Sequence, residues 1–282
     1  MEPISASPEV VDRFLERLAA ADGAEPLSEH KAMRVHDGDD ARTLVLAEGS
    51  EIAAVAVAAR HGDRWALEVA VAPERRGTPA ETAALREAAA RLLPDDGTLW
   101  VRRREALDVA AAEGWRPVRE LQRWERDLPL PSVAPPTGER FRSYRDGDEE
   151  AFLAAVAEAF AGHPEAGHLD AEGFAALRRR PWFDPAGLVL AEEDGRLVGF
   201  CWTKREGDAG EIYLVGVRSA GRGRGLGRAL VVEGARRLAA AGARRLTLWV
   251  DEGNLAARRL YAGLGMRPVE AVWELERAQP NR

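Results

Sequence analysis

The chain has a single cysteine, Cys201, which excludes an intrachain disulfide and a multi-cysteine zinc site and fits a reducing cytosol. Its five histidines are scattered with no H-x-x-x-H pair, so no metal site is expected. Long apolar runs are missing too. The longest, Ile52–Ala59, is far short of the roughly 20 residues needed to span a bilayer, and no membrane association is expected. No basic segment leads into an apolar one after Met1-Glu-Pro-Ile, so no secretory signal is expected either. Nor is there an excess of positive charge. A net charge of −7 opposes a general nucleic-acid binder, which needs a basic surface to neutralise phosphates. What remains is ordinary for a globular protein, with 46% apolar and 31% charged residues, and 282 residues suffice for two domains.

One proline-rich stretch, Leu128-Pro-Leu-Pro-Ser-Val-Ala-Pro-Pro-Thr-Gly138, interrupts two regions of mixed α/β pattern. The sequence repeats itself across it. Leu44-Val-Leu-Ala-Glu48 returns as Leu188-Val-Leu-Ala-Glu192, and Thr98-Leu-Trp-Val101 returns as Thr247-Leu-Trp-Val250. Glu113-Gly-Trp115 matches Leu264-Gly-Met266, and Trp124 matches Trp273. Four matches in one order read as a duplicated domain. The expected division is 1–128, a linker at 129–138, and 139–282.

Each half reads alike. A helical region (Pro8–Ala20; Glu149–Phe160) precedes two strands, which in the second half are Leu188–Glu192 and Leu197–Thr203 about an Asp194-Gly195 turn. A longer strand follows (Ala66–Val71; Glu211–Val217), then a helix (Glu81–Leu92; Gly227–Ala240). Leu226, Leu230 and Leu238 fall on one face of the second such helix, and Arg236 and Arg237 are expected on solvent. A strand, a short helix and a last strand complete each unit.

Chemistry concentrates between strand Glu211–Val217 and the helix after it, in Arg218-Ser-Ala-Gly-Arg-Gly-Arg-Gly-Leu-Gly-Arg228. Glycines here let the backbone take positive φ, so that successive N–H groups converge on an anion. The helix N-terminus and Arg222, Arg224 and Arg228 add positive charge. The result is a pyrophosphate cradle. G-x-G-x-x-G fails, because starts at Gly221 and Gly223 end on Leu226 and Arg228, and no Gly-Lys-Ser/Thr completes a P-loop. An RGG-like RNA-binding tract and a plain turn compete, but such tracts normally lie in disordered sequence. The spacing Arg222-x-x-Gly225-x-Gly227 resembles the coenzyme A loop of the GNAT acetyltransferases.

That resemblance implies an α/β (α+β) fold of two tandem GNAT domains, each a mixed, mostly antiparallel sheet flanked by helices. It implies acetyl-CoA as cosubstrate, held by Arg222, Gly223, Arg224, Gly225, Leu226, Gly227 and Arg228, with Val215, Gly216 and Val217 pairing with pantetheine. Downstream, Asn254-Leu-Ala-Ala-Arg-Arg-Leu-Tyr261-Ala-Gly-Leu-Gly-Met266 resembles the family's N-x-x-A-x-x-L-Y-x-x-L-G-F segment. This adds Asn254, Leu255, Ala256, Ala257, Arg258 and Arg259 to the cofactor site, with Asn254 as a helix cap and Gly265 as the stop. An attacking α-amine, of pKa about 7.7–8.0, needs only a modest base, and Glu211 could take its proton through a water. Tyr261 could hydrogen-bond the departing sulfur. A thiol is more acidic than a phenol, so stabilisation is expected there more than full proton transfer.

In the first half the matching loop reads Ala72-Pro-Glu-Arg-Arg-Gly-Thr-Pro79-Ala. Arg76 and Gly77 survive, while Pro79 aligns with Gly227 and removes a donor. Glu105–Gly114 holds no tyrosine. A second coenzyme A site using Val69, Ala70, Val71, Arg76 and Gly77 is therefore doubtful.

Segments outside the general loop are more particular. Ala159-Phe-Ala-Gly-His-Pro-Glu-Ala-Gly167, Trp182-Phe-Asp-Pro-Ala-Gly-Leu188, Gly199-Phe-Cys-Trp-Thr-Lys204 and Gly210-Glu-Ile-Tyr-Leu-Val-Gly-Val217 resemble the mycothiol synthase family of tandem GNAT enzymes. The resemblance implies a small-molecule acceptor, a cysteinyl-glucosaminyl-inositol conjugate acetylated on its amine. It implies contacts from Glu29, Glu165, Lys204, Glu211 and Trp249, in a cytoplasmic monomer. Two alternatives stay open, a tandem GNAT for another amine (aminoglycoside, polyamine or peptide N-terminus) and a non-catalytic acyl-CoA sensor.

Overall fold

Apolar runs such as Ile52–Ala59 become strands and Ala/Leu/Arg-rich runs become helices in the computed structural model, which describes residues 1–32, 35, 41–61, 64–133, 138–161 and 169–278, with backbone only at 29, 30 and 61. Two compact units emerge. One is Met1–Leu121 with Ala271–Arg282, the other Gln122–Glu270.

In the first unit, strands β1 (Glu2–Ile4), β2 (Ala41–Glu48), β3 (Glu51–His61) and β4 (Arg64–Val71) pair antiparallel in sequence order. Strand β5 (Thr98–Val101) lies parallel to β4, a crossover made possible by helix α3 (Pro79–Leu92) between them. Helices α1 (Pro8–Asp22), α2 (Glu29–Ala32) and α4 (Ala106–Ala112) complete it. The long strand β6 (Trp115–Asp127) begins in this unit and ends in the other.

The second unit repeats the order. Strands β7 (Arg140–Ser143), β8 (Leu188–Glu193), β9 (Arg196–Glu206) and β10 (Ala209–Val217) pair antiparallel, and β11 (Arg245–Asp251) runs parallel to β10 after helix α7 (Leu226–Ala240). Helices α5 (Glu149–Ala159) and α6 (Ala171–Arg178) bring Phe152 and Phe174 onto Phe200 and Trp202, on one face of the sheet. On the other face, α7 and α8 (Leu255–Gly263) pack Leu230, Leu238 and Tyr261 with Cys201, Ile212, Leu246 and Leu248. Strand β12 (Arg267–Arg277) starts here and finishes in the first unit, where Trp273, Glu274 and Leu275 pair antiparallel with Val101, Trp100 and Leu99.

Each unit is thus a mixed, mostly antiparallel set of strands of like order, flanked by helices. Chain order and compactness nevertheless divide the protein differently. The repeated tryptophans show this: Trp124 is buried in the core of the second unit and Trp273 in that of the first. Each indole N–H donates to a side chain close before or opposite it, Gln122 Oε1 at 3.1 Å and Glu120 Oε2 at 3.0 Å. Each unit therefore takes a core aromatic from the far end of a long strand.

Details depart from the sequence expectation. Strands β1 and β7 and helix α6 were not legible, being short elements with little periodicity. Arg237 does not turn to solvent: it bonds Glu233 Oε1 at 2.8 Å, Ser143 Oγ at 2.8 Å and the Ala186 carbonyl at 2.7 Å. Arg236 is exposed as expected. The Asp194-Gly195 turn has φ of 50° and 74°, the left-handed pair a tight hairpin requires.

Candidate functional site

In the second unit, β10 hands over to α7 through a short 3-10 turn, Ser219–Gly221, and then through Gly223 and Gly225 at φ of 77° and 83°. Helix α7 starts at Leu226 with no side-chain cap. Among the described residues, the backbone N–H groups from Gly223 to Arg228 donate to no protein acceptor. A run of open donors on the positive end of a 15-residue helix is an anion cradle. Two arginines add charge to it. Arg222 bonds the Val217 and Ala159 carbonyls at 3.2 and 3.5 Å, and Arg228 bonds the Gly263 carbonyl at 3.3 Å. Carbonyls orient a guanidinium without neutralising it. Arg224 differs. It makes a bidentate pair with Glu193 at 2.7 and 2.9 Å and lies 3.0 Å from buried Glu139, so two carboxylates meet its charge and it anchors the loop.

The sheet opens beside this cradle. Strand β10 pairs with β11 only where Ala209–Ile212 meets Arg245–Leu248. Beyond a bulge at Tyr213, residues Leu214–Val217 keep their bonds to β9 alone. The backbone edge at Val215, Gly216 and Val217 is therefore left facing the split. Gly216 has a packing reason as well, because a Cβ there would lie 2.6 Å from the Phe200 ring and 2.8 Å from Ala159 Cβ.

Glu211 and Lys204 stand opposite each other in the β9–β10 register, and Glu211 stands opposite Thr247 in β11. Trp249, two residues after Thr247, projects to the same side, and all of these lie on the α5–α6 face. Lys204 is buried, with its ammonium 3.2 Å from Glu206 Oε2 and 5.5 Å from the centre of the Trp182 ring. Tyr261 packs on the opposite face, in the α7–α8 core. Burial, and then its neighbour Cys201, push its phenol above the usual range, and burial pushes the Cys201 thiol up to about 12. Tyr261 is therefore a protonated donor throughout the neutral range.

On α8, Asn254 Oδ1 accepts from Ala257 N at 3.1 Å, the expected cap, and Gly265 has φ of 76° at the stop. Asn254, Leu255, Ala256 and Arg259 are exposed, while Ala257 and Arg258 are half-buried. The Arg258 guanidinium bonds Glu252 at both its carbonyl (2.7 Å) and its carboxylate (2.6 Å). Glu165 and the side chain of Glu29 lie outside the described residues.

The first unit has the same scaffold with different occupants. Ala66 stands opposite Thr98 and Ala59, as Glu211 stands opposite Thr247 and Lys204. Ala110 precedes Gly114 (φ 80°) by the four residues that separate Tyr261 from Gly265. Strand β4 also leaves β5 after Glu68, so Val69, Ala70 and Val71 bond β3 alone. Arg76 repeats the grip of Arg222, with its Nε 3.0 Å from the Val71 carbonyl. There the likeness ends. Asp22 clamps Arg76 at 2.6 and 2.7 Å, and that pairing holds the Asp22 carboxyl below its usual range. Gly77 N–H donates to Glu81 Oε2 at 2.7 Å, and Ala80 N–H to Thr78 Oγ1 at 3.2 Å. Glu81 also pairs with Arg103.

Pro79 is the first residue of α3, where a missing N–H costs nothing. Its counterpart is therefore Leu226, the first residue of α7, and not Gly227 as the sequence suggested. Glu81 and Asp22 were missed, although Thr78-x-x-Glu81 is a legible capping-box pattern. An open depression of about 440 Å³ beside this turn is lined by Gly77, Thr78, Pro79, Thr82 and Arg86.

The chain is similar to known proteins of one family and fold. Residues 153–266 match the model of the acetyltransferase (GNAT) family. The mycothiol acetyltransferase of Thermobispora bispora is 41% identical over 91% of each chain. That of Thermomonospora curvata is 42% identical over 86% of this chain and 84% of its own. Among solved structures, a GCN5-related N-acetyltransferase from Sphaerobacter thermophilus superposes over 100% of this chain and 96% of its own, with a TM-score of 0.77 at 28% identity. A tandem GNAT protein from the clavulanic acid biosynthesis pathway, 18% identical, shares the fold at a TM-score of 0.70 over 99% of this chain and 98% of its own.

Proposed function

Because the chain belongs to the mycothiol acetyltransferase family of GNAT enzymes, we propose that it transfers the acetyl group of acetyl-CoA to the cysteinyl amine of a cysteinyl-glucosaminyl-inositol conjugate, and that residues 139–282 carry the chemistry. The observation that carries this reading is the run of open N–H donors at Gly223–Arg228 beside the split between β10 and β11. The donor set fits a pyrophosphate. Arg222 and Arg228 supply its counter-charge, and the α8 residues Asn254–Arg259 border it.

Acetyl-CoA supplies an activated acyl group, and the chain's own residues manage charge and protons around it. The open edge of Val215–Val217 aligns the pantetheine arm by backbone hydrogen bonds. Edge N–H groups in the split face the negative charge that develops on the acetyl oxygen. Glu211 accepts the proton of the acceptor ammonium through a water. In this reading Tyr261, from the core on the opposite face, donates a hydrogen bond to the departing sulfur. Its raised pKa makes full proton transfer uphill, so its contribution is stabilisation of the thiolate as it forms. Lys204, Glu211 and Trp249 touch the acceptor in this reading, with Glu29 and Glu165 added by the family resemblance. The halves 1–128 and 139–282, joined by 129–138, are the two copies of the duplicated unit, working in a cytoplasmic monomer.

A competition assay tests the acceptor. The conjugate, free cysteine, spermidine and an aminoglycoside are each offered with acetyl-CoA. Polar groups of the site left unpaired by a smaller acceptor cost roughly 1–3 kcal/mol each, so the conjugate is expected to lead in kcat/KM by at least a hundredfold. An equal or higher value for free cysteine or the polyamine overturns the acceptor assignment and leaves the acetyltransferase class standing. Binding of acetyl-CoA with no turnover of any amine would favour a sensor instead.

A further inference from the structure

The aromatic cluster under the α5–α6 face has two kinds of member. Phe152, Phe174, Phe200 and Trp202 are fully buried, and they hold one another in edge and tilted contacts, such as Phe174–Trp202 at 5.4 Å. Trp182 and Tyr213 are different. Both remain half-buried, although each rests on Trp202, at 5.9 and 5.3 Å between ring centres, and they lie 5.0 Å from each other at an interplanar angle of 48°. Tyr213 owes its place to the bulge. Ile212 pairs with Thr203 and Leu214 with Trp202, so Tyr213 has no counterpart in β9, and it joins the same cluster as the adjacent Leu214. Trp182 comes from the irregular stretch after α6, and its ring also receives the buried Lys204 ammonium at 5.5 Å. Lys204 in turn faces Glu211 across the register.

We propose that Trp182 and Tyr213 are specificity-determining residues of the acceptor site, a two-ring aromatic floor beside Lys204 and Glu211 that receives the sugar ring of the acceptor. The inference rests on the acceptor reading above. A pyranose presents C–H bonds of slight positive charge on its flat faces, which match the negative face of an aromatic ring, and hydroxyls at its rim, which match charged side chains. Ligand sites in general combine apolar and aromatic walls with a few placed polar groups, and this corner of the sheet offers both. The fixed part of the floor is Trp202, which locks the two outer rings from behind. Tyr213 lies two residues from Glu211, so a sugar on the floor sets the distance of the amine from the base.

The test uses the full-length enzyme and two acceptors, the complete conjugate and cysteinamide, which has the amine without either ring. Wild-type preference for the conjugate tests the acceptor reading by itself. If wild type shows no such preference, that reading and this inference fall together. Given the preference, Trp182→Leu keeps apolar bulk but removes the π face, and it should reduce the ratio of kcat/KM for conjugate over cysteinamide at least tenfold, mainly through KM of the conjugate. Trp182→Phe should restore most of the ratio. Unfolding midpoints of both variants are measured alongside. If the ratio is unchanged in Trp182→Leu, or if Phe and Leu lower both acceptors alike, the floor is only core packing and the inference is overturned.

Discussion

The two cradles begin alike and end differently. In each an arginine five residues past the strand, Arg76 or Arg222, turns back onto the carbonyl of the strand's last valine. Each continues through a glycine of positive φ into a long helix. In the first unit the carboxylates of Glu81 and Asp22 then take the places an anion would use, one on the Gly77 N–H and one on the arginine. In the second the donors stay open. Three alanines, Ala59, Ala66 and Ala110, complete the contrast where the second unit has Lys204, Glu211 and Tyr261. The same kind of turn is thus met by the chain's own carboxylates in one unit and left open in the other. The first unit also holds a buried ion pair. Lys31 Nζ lies 3.0 Å from Glu68, both almost wholly enclosed.

The sharpest way to break this comparison is a matched pair of substitutions. Gly225→Glu and Gly77→Glu both place a carboxylate, and a side chain at positive φ, on equivalent turns, so the backbone strain is common to both. Turnover should fall by at least a thousandfold in Gly225→Glu and by less than threefold in Gly77→Glu, measured as kcat/KM for acetyl-CoA on variants shown to be folded. Equal losses would mean that the first cradle also works.

A smaller effect is expected from Tyr261→Phe. Removing the hydroxyl should lower kcat about a hundredfold with KM for acetyl-CoA little changed, because the bond is made mainly in the transition state. Glu211→Gln should also remove the lower limb of the pH–rate profile. Wild-type kcat in Tyr261→Phe would leave this tyrosine with no more role than the buried Ala110.

The smallest effect concerns Cys201. Its thiol sits behind Tyr261 in the α7–α8 core and is held far above the neutral range, so it should resist a thiol reagent at pH 8 in the folded protein. Labelling should follow unfolding in denaturant. Rapid labelling of the native enzyme would show that this core opens locally.

The fold class and the candidate cradle are legible in the sequence because both rest on local pattern. Gly223, Gly225 and Gly227 announce a turn that needs no tertiary knowledge, and Asn254 announces the cap of the helix that carries Tyr261. The repeat tells that the halves share a fold. Other features depend on distant partners. Nothing near Arg224 shows that Glu193 and Glu139 will claim it, and nothing near Arg76 shows Asp22, 54 residues earlier. Arg237 looks like surface until β7 and the Ala186 carbonyl arrive beside it. Glu81 is the exception, a local signal that the proline next to it obscured.

The two long strands that change unit part-way have a consequence for how the protein is made. Trp273 and Leu275, which belong to the first unit's core, are synthesised only after the whole of the second unit. At about 5–20 residues per second, the first unit waits some ten seconds or more after its own Leu121 before its sheet can be completed. The half that is synthesised first therefore finishes last, and a fragment ending at the proline-rich linker would lack a core tryptophan and should be captured by chaperones or degraded. Genes that fuse, split or permute this chain can be expected to keep the final strand attached.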